Sequence, residues 1–300
     1  MNAPPKAPPK APPKAPPSAP AAPPPQNAAV RNAPTHGAAS IGRIASAFEP
    51  PRIIINGVEG WGKTSALAHA DNPVILMARG ETGYQTLLGA GRVPQCDGML
   101  CESWGDTLAA VDYLIDNDTG HKTIGLDALG GFERLCHEHV CATQFNGDWG
   151  EKGFASFQKG YDLAVGDWLT LLVRLDRLRA QRGMAVVLLS HVKVTTFRNP
   201  AGPDYDKFIA DCHHKTWSVT HKWADAVLFG TFFSVVEGGT TGAKARKGKG
   251  IGGSERVLYT QHHDAWDAKN RYGLDECIDI PNDPTQSWAT IWHAINGDNK

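Results

Sequence analysis

The sequence contains no C-x-x-C pair. Its six cysteines, at 96, 101, 136, 141, 212 and 277, stand singly. The run Cys136-His137-Glu138-His139-Val140-Cys141 has a spacing that fits no common zinc pattern, so these residues read as structural thiols. No apolar run approaches the roughly 20 residues that a membrane-spanning helix needs, which excludes that class. The N-terminus is proline-rich rather than apolar, so no secretory signal is expected and a reducing cytosol is the expected compartment. Charge of one sign is not in excess either: the formal net charge is −1 over 300 residues. Any contact with a polyanion must therefore come from local patches rather than from the field of the whole chain.

Acidic residues are missing altogether from residues 1–39, where Pro-Pro-Lys-Ala repeats run from Pro4 to Ala15 and the cations are Lys6, Lys10, Lys14 and Arg31. Such a segment cannot bury a core and favours an extended polyproline II conformation. It reads as a solvated arm, either a tether or a weak docking site for DNA or a protein partner. The rest is ordinary globular material, since the whole chain is 41% hydrophobic and 20% charged. The expected organisation is an arm at 1–39, one domain at 40–282 and a short tail at 283–300.

Within that domain, apolar runs alternate with helical periodicity. Residues 52–58, 73–78, 123–127 and 184–189 read as buried strands, with a shorter one at 99–101. Helical spacing appears through Leu108, Val111 and Leu114, through Leu129, Phe132, Leu135, Cys136 and Val140, and through Tyr161, Val165, Trp168, Leu172 and Leu175. Strands alternating with helices imply an α/β fold, a mostly parallel sheet flanked by helices. Residues 146–160 and 192–211 read as polar loops, the first of them mobile, and a helix is expected over 215–224. Beyond it the β-rich runs 226–236 and 256–261 imply an antiparallel extension. They are joined by a glycine-rich basic connector containing Lys244, Arg246, Lys247 and Lys249.

The most informative stretch is Gly57-Val58-Glu59-Gly60-Trp61-Gly62-Lys63-Thr64, followed by Ser65. It reads G-x-x-x-x-G-K-T between an isoleucine-rich strand and an alanine- and leucine-rich helix, the context that a phosphate cradle requires. Glycines let backbone N–H groups turn in around an anion, and the helix start adds its positive end. Lys63 reaches the β- and γ-phosphates of ATP, and the Thr64 hydroxyl suits Mg²⁺. Asp127 ends an apolar strand, the position of a carboxylate that holds the metal. Glu81, just past the second strand, is placed to activate water. His191, past the strand 184–189, is a candidate sensor of the γ-phosphate.

These elements, taken in order with Trp223-Ala224-Asp225-Ala226-Val227-Leu228 and Ala268-Lys269-Asn270-Arg271-Tyr272-Gly273, resemble the RecA-type core. The nearer resemblance is to the phage-encoded RecA-like ATPases grouped with single-strand annealing proteins, AAA-type nucleotide-binding proteins. The resemblance covers roughly residues 52–280. It implies a RecA-like P-loop fold in the cytoplasm of a bacterial host, with ATP and Mg²⁺ as cofactors. It implies Glu81 as the water-activating glutamate and Asp127 as the Walker B aspartate, with His191 standing where a glutamine is usual. Lys269 and Arg271 resemble a basic pair that completes a neighbouring subunit's site in a ring or filament. The implied substrate is single-stranded DNA, gripped by loops after the cradle-domain strands. Here those loops offer Lys152, Phe154, Phe157 and Lys159, then Lys193, Arg198 and Lys207, with Arg246, Lys247 and Lys249 as a third contact. The expected activity is DNA-stimulated ATP hydrolysis that promotes strand annealing or exchange. The alternatives are an ATP-gated module that docks a single-strand-binding protein without hydrolysis, and a helicase loader or nucleotide kinase.

Overall fold

Three consecutive isoleucines between Arg52 and Asn56 leave that segment no polar face, so it must be covered on both sides. In the computed structural model, which describes residues 49–237 and 249–297, it forms β1 (Arg52–Gly57), and Ile53, Ile54 and Ile55 are wholly inaccessible. The chain continues through α1 (Lys63–Ala68), β2 (Pro73–Ala78), α2 (Gly83–Gly89), β3 (Asp97–Cys101), α3 (Trp104–Asp116), β4 (Thr123–Asp127) and α4 (Leu129–Phe145). After a 3-10 turn at Ser156–Gln158 come α5 (Lys159–Arg182), β5 (Ala185–Phe197), β6 (Tyr205–Ala210), α6 (His214–Trp223) and β7 (Ala226–Glu237). The last elements are β8 (Lys249–Tyr259), β9 (Lys269–Asn270), β10 (Cys277–Ile280) and α7 (Pro284–Asn296). The arm expected at residues 1–39, and Lys244, Arg246 and Lys247 of the basic connector, lie outside the described residues.

The sheet runs β10-β8-β7-β1-β5-β4-β2-β3. From β7 to β3 all neighbours are parallel, and β8, β9 and β10 join antiparallel. This is the mostly parallel α/β sheet that the alternation of strands and helices implied, and it is consistent with the P-loop fold that the resemblance implied. Successive residues of a strand face opposite ways, and β1 divides accordingly. Ile54 joins one core with α3, α4 and α5, where the Trp104 and Trp168 rings stack 5.8 Å apart. Ile53 and Ile55 join a second core with Trp61, Leu67, Trp288 and Ile291. The helices carry clear start and stop signals: Ser103 and Asp106 form a reciprocal capping box at the start of α3, and Gly183 ends α5 at φ 65°.

Three expectations are corrected. Residues 192–211 are not a loop. Strand β5 runs on past His191 to Phe197 and pairs antiparallel with β6, so they form a hairpin. The reason is composition: Val192, Val194, Thr195, Thr196 and Phe197 face Tyr205, Phe208 and Ile209, while Pro200, Gly202 and Pro203 are confined to the turn. The segment after 282, expected as a short tail, holds the helix α7. The Asp283 side chain accepts from the Thr285 N–H, Pro284 opens α7, and Trp288, Ile291 and Ile295 bury one stripe of it against the second core. The segment 146–160, read as mobile, is built around Phe154. That ring is fully buried among Phe145, Trp149, Tyr161 and His137. No helix among the described residues is long and apolar enough to cross a membrane.

Candidate active site

Parallel strands place the residues that follow them along one edge. Gly57 at the end of β1 is level with His191 in β5, and Asp127 at the end of β4 is level with Met77 in β2, four residues before Glu81. Four separate sequence segments thus meet where β1, β2, β4 and β5 present their carboxyl ends, the edge at which open α/β sheets bind ligands. They enclose a hollow of about 680 Å³ lined by Lys63, Thr64, Glu81, Asp127, His191 and Arg256, among others.

The loop between β1 and α1 has the backbone its glycines allow. Gly60 and Gly62 have φ of 74° and 106°, a region that costs a side-chain-bearing residue about 1 kcal/mol or more. Trp61 between them was read only as a variable position of the motif, yet it anchors the loop. Its ring is fully buried, and its indole N–H donates to the Val257 carbonyl over 3.1 Å. The ring lies so close to β7 that a Cβ on Gly230 would stand 2.5 Å from it. The loop is thereby pinned to the antiparallel extension.

Lys63 is 7% exposed, and its ammonium donates to the carbonyls of Gly57 (2.7 Å) and Val58 (3.2 Å), so it spans the mouth of the loop. Burial lowers its pKa, opposed by the charges of Asp127, Glu59 and Glu81. The Thr64 hydroxyl donates to the Asp127 carboxylate over 2.7 Å. Asp127 is 5% exposed; burial raises its pKa, while the Thr64 hydrogen bond and the charges of His191 and Lys63 pull the other way. Burial also raises the pKa of Glu81, reinforced by Asp127, and the His191 Nε2 lies 3.9 Å from its Oε1. A hydroxyl and a carboxylate side by side, in a hollow that also holds a second carboxylate, form an all-oxygen set suited to a hard cation such as Mg²⁺.

A family model described as an AAA domain matches residues 49–272. The chain belongs to the AAA domain family. No curated protein matches it. Membership makes the chain a P-loop nucleotide-binding protein of the ATPase type, whose members typically use Mg²⁺, and residues 57–65 with Asp127 lie inside the matched span.

The remaining candidates are distributed differently in this AAA domain. Lys269 and Arg271 sit beside the start of β7, level with the start of β1, at the sheet edge away from the hollow. Lys269, expected to complete a neighbouring subunit's site, is engaged within its own chain: its ammonium donates to the carbonyls of His221 (2.9 Å), Lys222 (3.0 Å) and Ala224 (2.6 Å), closing the end of α6. Arg271 pairs with Asp225 at 3.0 Å and keeps half its side chain exposed. Among the polynucleotide candidates, Phe154 is corrected outright, because a fully buried ring offers no stacking face. Lys207 is held by Asp267 at 2.6 Å with little exposure, and Lys193 pairs with Asp211 at 2.9 Å. Lys152, Phe157, Lys159 and Arg198 are exposed, Phe157 completely. Arg246, Lys247 and the side chain of Lys249 lie outside the described residues.

Two residues that sequence reasoning passed over belong to the site. Arg256, in the β-rich run after the connector, reaches the glycine loop. Asn282, just before α7, lines the same hollow. A lone arginine in an apolar strand was the only available signal.

Proposed function

We propose that this AAA domain binds and hydrolyses ATP and couples that cycle to single-stranded DNA in strand annealing or exchange. The observation that carries the ATPase reading is the Thr64–Asp127 contact beneath the buried Lys63, with Glu81 beside it. In this reading the loop amides and Lys63 grip the β- and γ-phosphates. Thr64 and Asp127 hold Mg²⁺, which when bound neutralises charge on the phosphate oxygens. Glu81 accepts a proton from the attacking water, a task suited to a carboxylate whose pKa is raised toward neutrality. His191 donates to the terminal phosphate or holds Glu81 in place.

The polynucleotide half rests on a continuity. His191 faces Glu81, and the same strand β5 continues from it into the exposed hairpin that carries Phe197 and Arg198. A change in what His191 touches is therefore delivered to a projecting segment with an aromatic ring and a cation, the pairing that suits stacking and phosphate contact. Turnover of ATP measured with and without an unstructured single-stranded oligonucleotide tests both halves. Stimulation by the oligonucleotide supports the reading. Turnover driven by a nucleoside monophosphate instead would make the chain a kinase, and binding without turnover would make it a nucleotide-gated docking module.

A further inference from the structure

We infer that Arg256 contacts a phosphate oxygen of the bound nucleotide, as a cation supplied by the antiparallel extension rather than by the glycine loop. The inference rests on the nucleotide reading of the hollow and adds a residue to it. Arg256 lies in β8, which is hydrogen-bonded to β7 and β10. Its Nη1 donates to the Trp61 carbonyl over 3.1 Å and its Nη2 to the Pro281 carbonyl. The side chain lines the same hollow as Lys63 and Thr64.

Arg256 is 8% exposed, and among the described residues no carboxylate lies within ion-pair distance of it. Arg52 pairs with Asp225 and Asp176, Arg179 with Glu49 and Asp176, and Arg174 with Asp112, whereas Arg182, less buried than Arg256, donates to the Ile115 carbonyl. Burial lowers the pKa of Arg256, and the acid that opposes this is Asp283, whose carboxylate is in solvent. A desolvated cation satisfied only by two carbonyls is costly unless an anion completes it. A guanidinium has five N–H donors in a planar fork, so donors remain after those two bonds. In the nucleotide reading of the hollow that anion is a polyphosphate.

Gly62 fixes the proximity: a Cβ at that position would stand 2.8 Å from Nη1, so the guanidinium lies against the glycine loop itself. The competing explanation is purely structural: Arg256 would tie Trp61 to Pro281 and touch no ligand.

Calorimetric titration of ADP into the full chain and into Arg256→Gln and Arg256→Lys, with melting temperatures measured alongside, separates the two. Charge-assisted contacts to phosphate are strong, so Arg256→Gln should weaken ADP binding tenfold or more. Arg256→Lys, which keeps the charge and loses the fork, should recover part of that loss, and it decides the question alone if the glutamine variant folds poorly. ADP affinity within twofold of the parent in a folded variant, with a lowered melting temperature, would overturn the inference in favour of the tether. Lys63→Ala is titrated in parallel. If it loses ADP while Arg256→Gln does not, only this inference falls. If the parent chain binds no ADP, the nucleotide reading falls with it.

Discussion

The Thr64 hydroxyl and the Asp127 carboxylate, 63 residues apart in sequence, are joined by a 2.7 Å hydrogen bond at the floor of the hollow. Asp127 comes from the end of β4 and Thr64 from the first turn of α1, and the sheet order places β5 between β4 and β1. The contact exists because α1 starts immediately after the glycine loop, which places Thr64 beside the end of β4. It brings together the two oxygens that a divalent cation would need.

Burial holds the Asp127 pKa above its ordinary value, so the folded chain favours the protonated form. Stability from such a group is present below the unfolded pKa and lost as pH rises through the folded one. Asp127→Asn removes the titration while keeping an acceptor for Thr64. Without nucleotide its melting temperature should exceed the parent's at neutral pH. The gap should close in acid. Mg²⁺-dependent turnover should be lost in the same variant, and thermal melts across pH check the first half.

Glu81→Gln should bind ATP nearly as well as the parent chain and hydrolyse it about 10² to 10⁴ times more slowly, the usual contribution of a positioned proton acceptor. The raised pKa of Glu81 sets the direction of the pH profile. Parent turnover should rise with pH along a limb lying above the ordinary glutamate range, and that limb should be absent from the variant. Single-turnover rates between pH 5 and 8 check it.

Gly230→Ala would place a methyl group 2.5 Å from the Trp61 ring, which is itself fixed by its bond to Val257. Overpacking of this kind costs roughly 1–3 kcal/mol. The displaced ring carries the glycine loop with it, so ADP affinity should fall as well. Urea unfolding and ADP titration of the same sample measure the two effects, and a loss of stability with unchanged affinity would mean that Trp61 does not set the loop.

Two phenylalanines three residues apart should behave oppositely. Phe154 is fully buried and Phe157 fully exposed. Phe154→Ala should destabilise the fold by about 3–5 kcal/mol. Phe157→Ala should leave the melting temperature in place and weaken single-stranded DNA binding by about 1–3 kcal/mol if one base stacks on it. Fluorescence anisotropy with a labelled oligonucleotide reads the second, and unchanged affinity would remove Phe157 from the DNA surface.

The parts of this molecule readable in the sequence are those fixed locally. The isoleucines of β1, the glycine motif and the apolar run 184–189 announce themselves because each is specified by adjacent residues. The acids at the ends of β2 and β4 are readable because parallel topology sends every strand end to the same edge. What was not readable depends on distant partners. Arg256 looks like a solvent-facing residue of a strand until Trp61, 195 residues earlier, is laid beside it. Phe154 looks like a stacking face in a polar loop until α4 and α5 close around it. The extension of β5 beyond His191 is disguised by its threonines and lysine, which a two-stranded ribbon tolerates because its faces are largely exposed. Helix α7 offers an Asp-Pro start and apolar residues at 288, 291 and 295, but the surface they need is contributed by α1 and β10.

The most direct test of the central claim is an isothermal titration of Mg²⁺·ATP into the full chain and into Lys63→Ala. The account predicts one saturable site in the parent chain and at least a hundredfold weaker binding in the variant, equivalent to about 2.7 kcal/mol. Equal affinity in the two proteins, or no binding by the parent chain, would contradict it.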